Sequence, residues 1–281
     1  MKHVPVLLNS ILNALGDICD KTVIDCTFGA GGYSRAFLEL GANVIAFDRD
    51  VSVVGDAEKL KQKYGKKFQF IQKTFSEISQ IDTTVDAIVF DLGISSMQID
   101  IPERGFSFRF DAPLDMRMSN SGVTAAEYIA DVNVRELTRV LREYGDVKNA
   151  SGIARAIKKA LPQTTFQLRD LIHNPRDYAP VFQALRIVVN DEIGELERAL
   201  SAVPDLLKVG GVCLCVTFHS LEDRIVKNTF RNWTDVPGDP RMPTIVEAPF
   251  KLIRTVQPSD KEIELNSRSR SAHMRGVIKS C

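Results

Sequence analysis

The sequence predicts an α/β fold: a mostly parallel sheet with helices on its faces, an antiparallel C-terminal edge and an inserted helical region. Three observations carry this. Short β-branched runs alternate with amphipathic stretches through the first ninety residues. Strand signals then disappear between 104 and 186, where helical spacing takes over. Afterwards the alternation returns and closes on two strand-like runs in the tail.

Taken in order, the first strand opens at Val23 and Ile24. Residues 33–40 have helical spacing and stop at Gly41, 43–47 form the second strand, and a helix over 51–64 stops at Gly65. Strands at 68–71 and 87–90 complete this half. In the middle, 124–129, 134–144, 151–160 and 167–172 read as helices. A long helix over 182–207 ends at Gly210 and Gly211 and feeds a strand at 212–217. Runs at 250–256 and 272–278 pair as antiparallel edge strands, and 235–249, rich in Pro, Gly and Asp, reads as a mobile loop. The chain thus divides into 1–103, an insert over 104–186, and 187–281, the outer two forming one domain.

Composition excludes several classes. With 281 residues, 44% hydrophobic and 26% charged, the chain has enough apolar content for a large core, and no apolar run reaches the roughly 18 residues that would cross a bilayer. Lys and Arg total 36 against 36 Asp and Glu, which excludes a generic basic nucleic-acid binder. The balance is a cancellation, however: 104–186 carries 13 basic and 9 acidic residues and 251–281 carries 7 and 3, while the other segments lean acidic. That pattern leaves a selective nucleic-acid contact open for the two basic segments. Cys19, Cys26, Cys213, Cys215 and Cys281 are odd in number and lack C-x-x-C spacing, so no metal site is expected. They read as reduced cytoplasmic thiols, and the N-terminal residues have no signal-peptide character.

The chemistry starts between the first strand and the first helix, at Asp25-Cys26-Thr27-Phe28-Gly29-Ala30-Gly31-Gly32-Tyr33-Ser34. Glycine there permits positive φ and lets a ligand approach without meeting a Cβ. Asp48 ends the second strand, where a carboxylate accepts hydrogen bonds from both ribose hydroxyls of an adenosine-bearing ligand. The dinucleotide fingerprint needs glycine where Ser34 stands. Asp25 sits badly beside a pyrophosphate but suits a cationic ammonium or sulfonium, a combination found in S-adenosylmethionine. Asp91, ending the fourth strand in Asp91-Leu92-Gly93, faces the methyl-donor end of such a ligand.

These residues, with Asp48-Arg49-Asp50, Ile94-Ser95-Ser96-Met97-Gln98, Arg104-Gly105-Phe106-Ser107-Phe108, Pro113-Leu114-Asp115-Met116-Arg117-Met118, Phe218-His219-Ser220-Leu221-Glu222-Asp223 and Asn266-Ser267-Arg268-Ser269-Arg270-Ser271, closely resemble the bacterial 16S rRNA cytosine-N4 methyltransferase family, the MraW/RsmH type. The likeness runs nearly end to end. It implies a class I, Rossmann-like S-adenosylmethionine-dependent methyltransferase fold with a helical substrate-recognition insert. It also implies methylation of one cytidine in the decoding region of 16S rRNA within the small subunit, in the cytoplasm, by a monomer or weak homodimer with no DNA or membrane partner. Carried over by position, the cofactor contacts fall on Gly31, Gly32, Tyr33, Asp48, Phe75, Asp91 and Gln98. Tyr33 and Ala30 depart from the family's usual His and Arg, which leaves residue 33 a backbone role.

For the transfer itself, Asp91 is expected to orient the amine, with His219 and Asp115 as candidates for a base and Asn190 as a weaker one. His219 equally suits anchoring a helix that starts at Ser220, with the serine as cap. Phe106 and Phe108, with Arg104 beside them, suit either a base-stacking platform or core packing. Two cationic trios share helix faces, Arg135, Arg139 and Arg142, and Arg155, Lys158 and Lys159. The first is interleaved with Glu136 and Glu143, as a solvated face would be, so the second is the better RNA-contact candidate. A DNA cytosine-N4 methyltransferase would carry a Pro-Pro-aromatic motif after Asp91, which is absent. A nicotinamide-dependent oxidoreductase is opposed by Ser34 and Asp25, and a non-catalytic RNA-binding assembly factor stays open.

Overall fold

A computed structural model describes residues 5–235 and 247–281, so most of the loop expected at 235–249 lies outside the described residues. Its strands are β1 (Thr22–Asp25), β2 (Asn43–Phe47), β3 (Phe68–Ile71), β4 (Val85–Asp91), β5 (Leu207–Thr217), β6 (Phe250–Val256) and β7 (His273–Lys279). They hydrogen-bond in the order β3-β2-β1-β4-β5-β7-β6. Pairing is parallel from β3 to β5, while β7 runs antiparallel to both β5 and β6. The order reverses beside β1, so its junction with β4 is the switch point beyond whose carboxyl ends an open α/β sheet binds ligands. β4 is apolar along nearly its whole length because a central parallel strand is buried on both faces.

Helices follow the chain as α1 (Leu8–Leu15), α2 (Gly32–Glu39), α3 (Val54–Tyr64), α4 (Ser96–Asp100), α5 (Ala125–Asp131), α6 (Val134–Glu143), α7 (Ala150–Ala160), α8 (Thr165–Asp170), α9 (Tyr178–Val189), α10 (Glu192–Leu206), α11 (Ser220–Thr234) and α12 (Asp260–Leu265). No helix among the described residues is long and apolar enough to cross a membrane. The chain forms two compact units, Met1–Gly93 with Gly194–Cys281, and Ile94–Ile193. The second unit therefore starts and ends outside the 104–186 set from sequence. It takes in α4 and the rest of α9, whose Val188 and Val189 pack against its own core.

In the first unit, Ile24, Phe47, Ile88 and Phe90 from the sheet pack with Leu200 and Val203 of α10 and Phe230 of α11. Each such side chain removed from water contributes about 1.5–3 kcal/mol. In the second, Leu137, Val140 and Leu141 of α6 meet Ile153 and Ile157 of α7 and Phe182 and Leu185 of α9. That cluster also takes in Phe106 and, at its margin, Phe108.

Two expectations change. The single helix over 182–207 is α9 and α10, interrupted at Asn190 and at Asp191, which takes φ +49°. Gly210 and Gly211 do not stop a helix; they lie within β5, where Leu207 pairs with Val85 and Val212 with Ala87, so that 208–211 bulge from the ladder. Apolar periodicity runs through 190, which is why that break does not show in the sequence, while the two glycines read as a helix stop and not as an irregularity of the strand.

Asn190 explains the first break. It is 6% exposed, and its Oδ1 accepts the Met118 amide at 2.7 Å while Nδ2 donates to the carbonyls of Met116 at 2.7 Å and Arg186 at 2.8 Å. Met116 is itself buried at φ +62°, a conformation costly for a side chain with a Cβ and kept only where neighbours over-determine it. Asn190→Ala should lower unfolding stability by about 2 kcal/mol or more, because the buried Met118 amide and Met116 carbonyl lose their side-chain partner while the Arg186 carbonyl keeps the amide of residue 190. Urea unfolding measures this, and a loss below about 1 kcal/mol would contradict the bracket.

Candidate functional site

At the switch point the chain builds a cradle from main-chain hydrogen bonds. Past β1, the Cys26 amide still donates to Val89 of β4, and the Phe28 amide to Phe47 of β2. Thr27 Oγ1 accepts the Asp91 amide at 2.7 Å. The loop that leaves β1 is thereby tied to both neighbouring strands. Gly29 at φ +51° donates to Asp48 Oδ2 at 2.8 Å, and Gly31 at φ +71° caps α2. A Cβ on Gly31 would lie 2.8 Å from the Phe28 ring, whereas one on Gly29 would meet only a Thr27 carbonyl at 4.0 Å, so the cradle is open above Gly29.

Asp48 accepts from two amides, Gly29 on one oxygen and Asp50 on the other at 2.9 Å. Each carboxylate oxygen keeps a further lone pair, the two acceptors a ribose diol needs. Burial raises its carboxyl above the ordinary value against the pull of those amides. Gly32 contributes closeness: a Cβ there would lie 2.4 Å from Pro5 Cγ. Tyr33 is buried, and its hydroxyl donates to the Val6 carbonyl, so only its backbone faces the cradle's work. Phe75 sits beyond β3, its ring edge-on to Phe90 at 5.8 Å.

Asp25 is fully buried, so it touches no bulk-phase ligand directly. Its carboxylate instead accepts from Ser34 Oγ at 2.6 Å and the Thr27 amide at 3.2 Å. Ser34, legible beforehand only as the residue that breaks a glycine pattern, is the partner this carboxylate requires. Burial raises the Asp25 carboxyl to about 6 against those bonds.

Asp91 ends this chain of contacts. Its Oδ1 is buried with no hydrogen-bond partner among the described residues. Burial, then the charges of Asp25 and Glu222, raise its carboxyl to about 8. Glu222, which sequence reasoning passed over, is 3% exposed and holds the Phe218 amide on Oε2 at 2.9 Å. His219, rather than Ser220, caps α11: its Nδ1 accepts the Glu222 amide at 3.4 Å, and Nε2 lies 3.0 Å from Glu222 Oε1. Nε2 is buried and has no hydrogen-bond partner among the described residues, so the cap rests on Nδ1.

The remaining candidates belong to the second unit. Asp115 is gripped by Arg117 through both oxygens, at 2.7 and 2.8 Å; burial works against these bonds, but they hold its carboxyl below the usual value. The Gln98 side chain accepts the Ser95 amide at 3.0 Å in a capping box that starts α4. Arg104 donates to the Arg117 and Met118 carbonyls, Phe106 is 8% exposed, and Phe108 packs edge-on against Phe182 at 5.6 Å. Of the second trio, Lys158 caps the end of α5 through the Ile129 and Ala130 carbonyls, Arg155 reaches Ser151, and Lys159 is exposed. Arg139 of the first trio pairs with Glu136 and Glu143. The structure thus brings Asp25, Asp48, Asp91, His219 and the glycine loop together at the strand ends of one unit, and turns most of the insert's candidates inward.

Residues 1–280 match the model of the MraW methylase family. Ribosomal RNA small subunit methyltransferase H of Rickettsia bellii is 41% identical over 300 residues, covering 99% of this chain and 98% of that one. Its namesake from Agrobacterium fabrum is 42% identical over 299 residues, with 99% and 88% covered. Among solved structures, an rRNA methylase from Streptococcus thermophilus aligns over 100% of this chain and 99% of its own at 13% identity and a TM-score of 0.47.

The raised carboxyls have a consequence for stability. Above pH 4 the unfolded chain has released protons that folded Asp25 and Asp91 retain, so stability falls as pH rises, through about 6 for the first and about 8 for the second. Between pH 6 and 8 the ligand-free protein should lose about 1 kcal/mol per pH unit, and Asp91→Asn should remove most of that slope. Parallel slopes in urea titrations of the two proteins would show that Oδ1 is solvated.

Proposed function

The chain belongs to the MraW methylase family and is a methyltransferase of the small-subunit ribosomal RNA type, and from that premise we propose that it methylates the N4 amine of one cytidine in the decoding region of 16S rRNA, using S-adenosylmethionine. The single observation that carries the amine assignment is Asp91 Oδ1, a buried acceptor without a partner at the end of β4. Such an atom is costly unless a donor arrives, and an exocyclic amine is a donor of the right kind.

The cradle suits the cofactor on three counts: the open space above Gly29, the unoccupied lone pairs of Asp48, and the concentration of carboxyls at a position where a cation would sit. Gly29, Gly31 and Gly32 would hold its amino-acid part by backbone, Asp48 its ribose, and Phe75 would flank its adenine. When bound, S-adenosylmethionine supplies a methyl group activated by positive sulfur. The nucleophile is weak, because its lone pair is shared with the ring. Asp91 accepts from the amine and turns that lone pair toward the methyl group, and the fixed backbone of Leu92 and Gly93 limits its approach to one direction. A methylated amine sheds its proton readily, so the chain must supply position before basicity. His219 serves this arrangement by capping α11 at the Glu222 amide, and Asp115 braces its own turn through Arg117. The substrate is an assembled or nearly assembled small subunit in the cytoplasm, met by a monomer or weak homodimer, with no part for DNA or membrane.

Ionised Asp91 favours a sulfonium over the neutral thioether of S-adenosylhomocysteine. Because its carboxyl is raised to about 8, that preference should grow as pH rises from 6 to 8 and then level. Titration calorimetry of both ligands checks this, and Asp91→Asn should make the two pH profiles parallel. The reaction itself is tested with small subunits from a strain lacking the enzyme and labelled S-adenosylmethionine. N4-methylcytidine at one nucleotide is the expected product on nuclease digestion and mass spectrometry; label on a ring carbon, a ribose or protein would overturn the assignment.

A further inference from the structure

We propose that the exposed face of α11, continued by Arg254 on β6 and Arg270 before β7, docks the phosphate backbone of RNA onto the sheet-bearing unit; this rests on the rRNA methyltransferase reading above. Arg224, Lys227 and Arg231 stand at i, i+3 and i+7 of α11 and share one side of the helix. All three are exposed, and the other exposed positions of the helix are Ser220, Asn228 and Asn232. The helix has two acids, and both are withdrawn. Glu222 is buried, and Asp223 is clamped by Arg275 through Nε at 2.7 Å and Nη2 at 2.9 Å. The exposed face is therefore cationic with amides and a hydroxyl between, a set of donors without an acceptor of negative charge.

The same contacts extend the surface. Arg275 Nη1 reaches Thr255 Oγ1 at 3.4 Å, which seats the end of β6, and Arg254 with it, beside the first turns of α11. The Trp233 ring lies tilted against Phe250 at 5.0 Å, which seats the start of β6 beside the last turn. At the rim, Thr217 Oγ1 donates to the His273 carbonyl at 3.3 Å, so Arg270, three residues earlier, lies near the strand end that His219 follows. Arg254 and Arg270 are exposed and, like the three on α11, form no ion pair among the described residues. The helix carries its cations over about 10 Å, starting where the proposed site opens. A stacked strand advances about 3.4 Å per nucleotide, so this face spans a few consecutive phosphates. Arg231 also suits the negative end of its helix, but Arg224, near the positive end, has no such local reason. Contacts of this kind hold and orient a nucleic acid without reading its sequence.

The test compares Arg224→Ala/Lys227→Ala/Arg231→Ala with a control of equal charge change, Lys21→Ala/Lys63→Ala/Lys66→Ala, at the opposite end of the strands. Binding to small subunits and to protein-free 16S rRNA is measured against salt, alongside S-adenosylhomocysteine affinity as a check on folding. The α11 variant should bind both RNAs at least tenfold more weakly, with the slope of log affinity on log salt reduced by about 2, while the control and ligand affinity stay unchanged. If the triple variant loses ligand affinity, the single substitutions replace it, each expected to reduce the slope by about 0.7. Unchanged binding overturns the proposal. Weakened binding to subunits but not to protein-free rRNA also overturns it, since the surface would then face a ribosomal protein. Failure of the rRNA methyltransferase reading looks different, because the unaltered enzyme would transfer no label to rRNA.

Discussion

A buried carboxylate at the end of β1 holds the site together. Asp25 takes the Ser34 hydroxyl from one side and the Thr27 amide from the other, so it joins the strand, the glycine loop and the first turn of α2 into one piece. Thr27 passes the constraint on to Asp91, and Gly29 passes it to Asp48. The backbone of Asp91 and the carboxylate of Asp48 are thus held in place through a loop whose anchor is a buried residue. Such preorganisation removes reorganisation from the reaction coordinate, which is where a reaction with a weak nucleophile gains most.

The arrangement concentrates acids. Asp25, Asp48, Asp91 and Glu222 all lie at the strand ends of one unit, and burial raises three of them. Like charges in low dielectric do not all ionise, so the empty site keeps Asp91 protonated near neutrality. A cation placed beside these carboxyls would favour their ionised forms, and a neutral group would not.

The alternating half of the fold was legible because parallel strands leave continuous apolar runs and their helices leave period-3.6 stripes; β2, β3 and β6 fall where those patterns lie. The break at Asn190 was hidden, since it depends on Met116 and Met118 some seventy residues away. In the site, Asp48 and Asp91 were legible from their places at strand ends. Glu222 was not, because a helix's third residue with a histidine rather than a serine as its cap has no strong sequence signature. Cations misled for a related reason: Arg104 and Lys158 answer carbonyls at a turn and a helix end, and composition alone does not separate those from solvent-facing ones. Conversely, α11 lies in a segment with more acids than bases, and only the withdrawal of Glu222 and Asp223 uncovers its basic side.

Residues far apart in sequence also close over the glycine loop. Pro5 packs on Gly32, Val6 receives the Tyr33 hydroxyl, and the Leu7 amide, with Leu7 itself at φ +55°, donates at 2.9 Å to Glu262 of α12, 255 positions later. During synthesis the ribosome therefore releases the loop long before it releases the carboxylate that fastens its cover. A nascent chain that already has β1 to β5 still has an unfastened cradle and an unpaired β5 edge until β7 follows. The cover over the glycine loop is thus fastened only once α12 has followed, while the bonds that place Asp48 and Asp91 all lie within the first ninety-one residues.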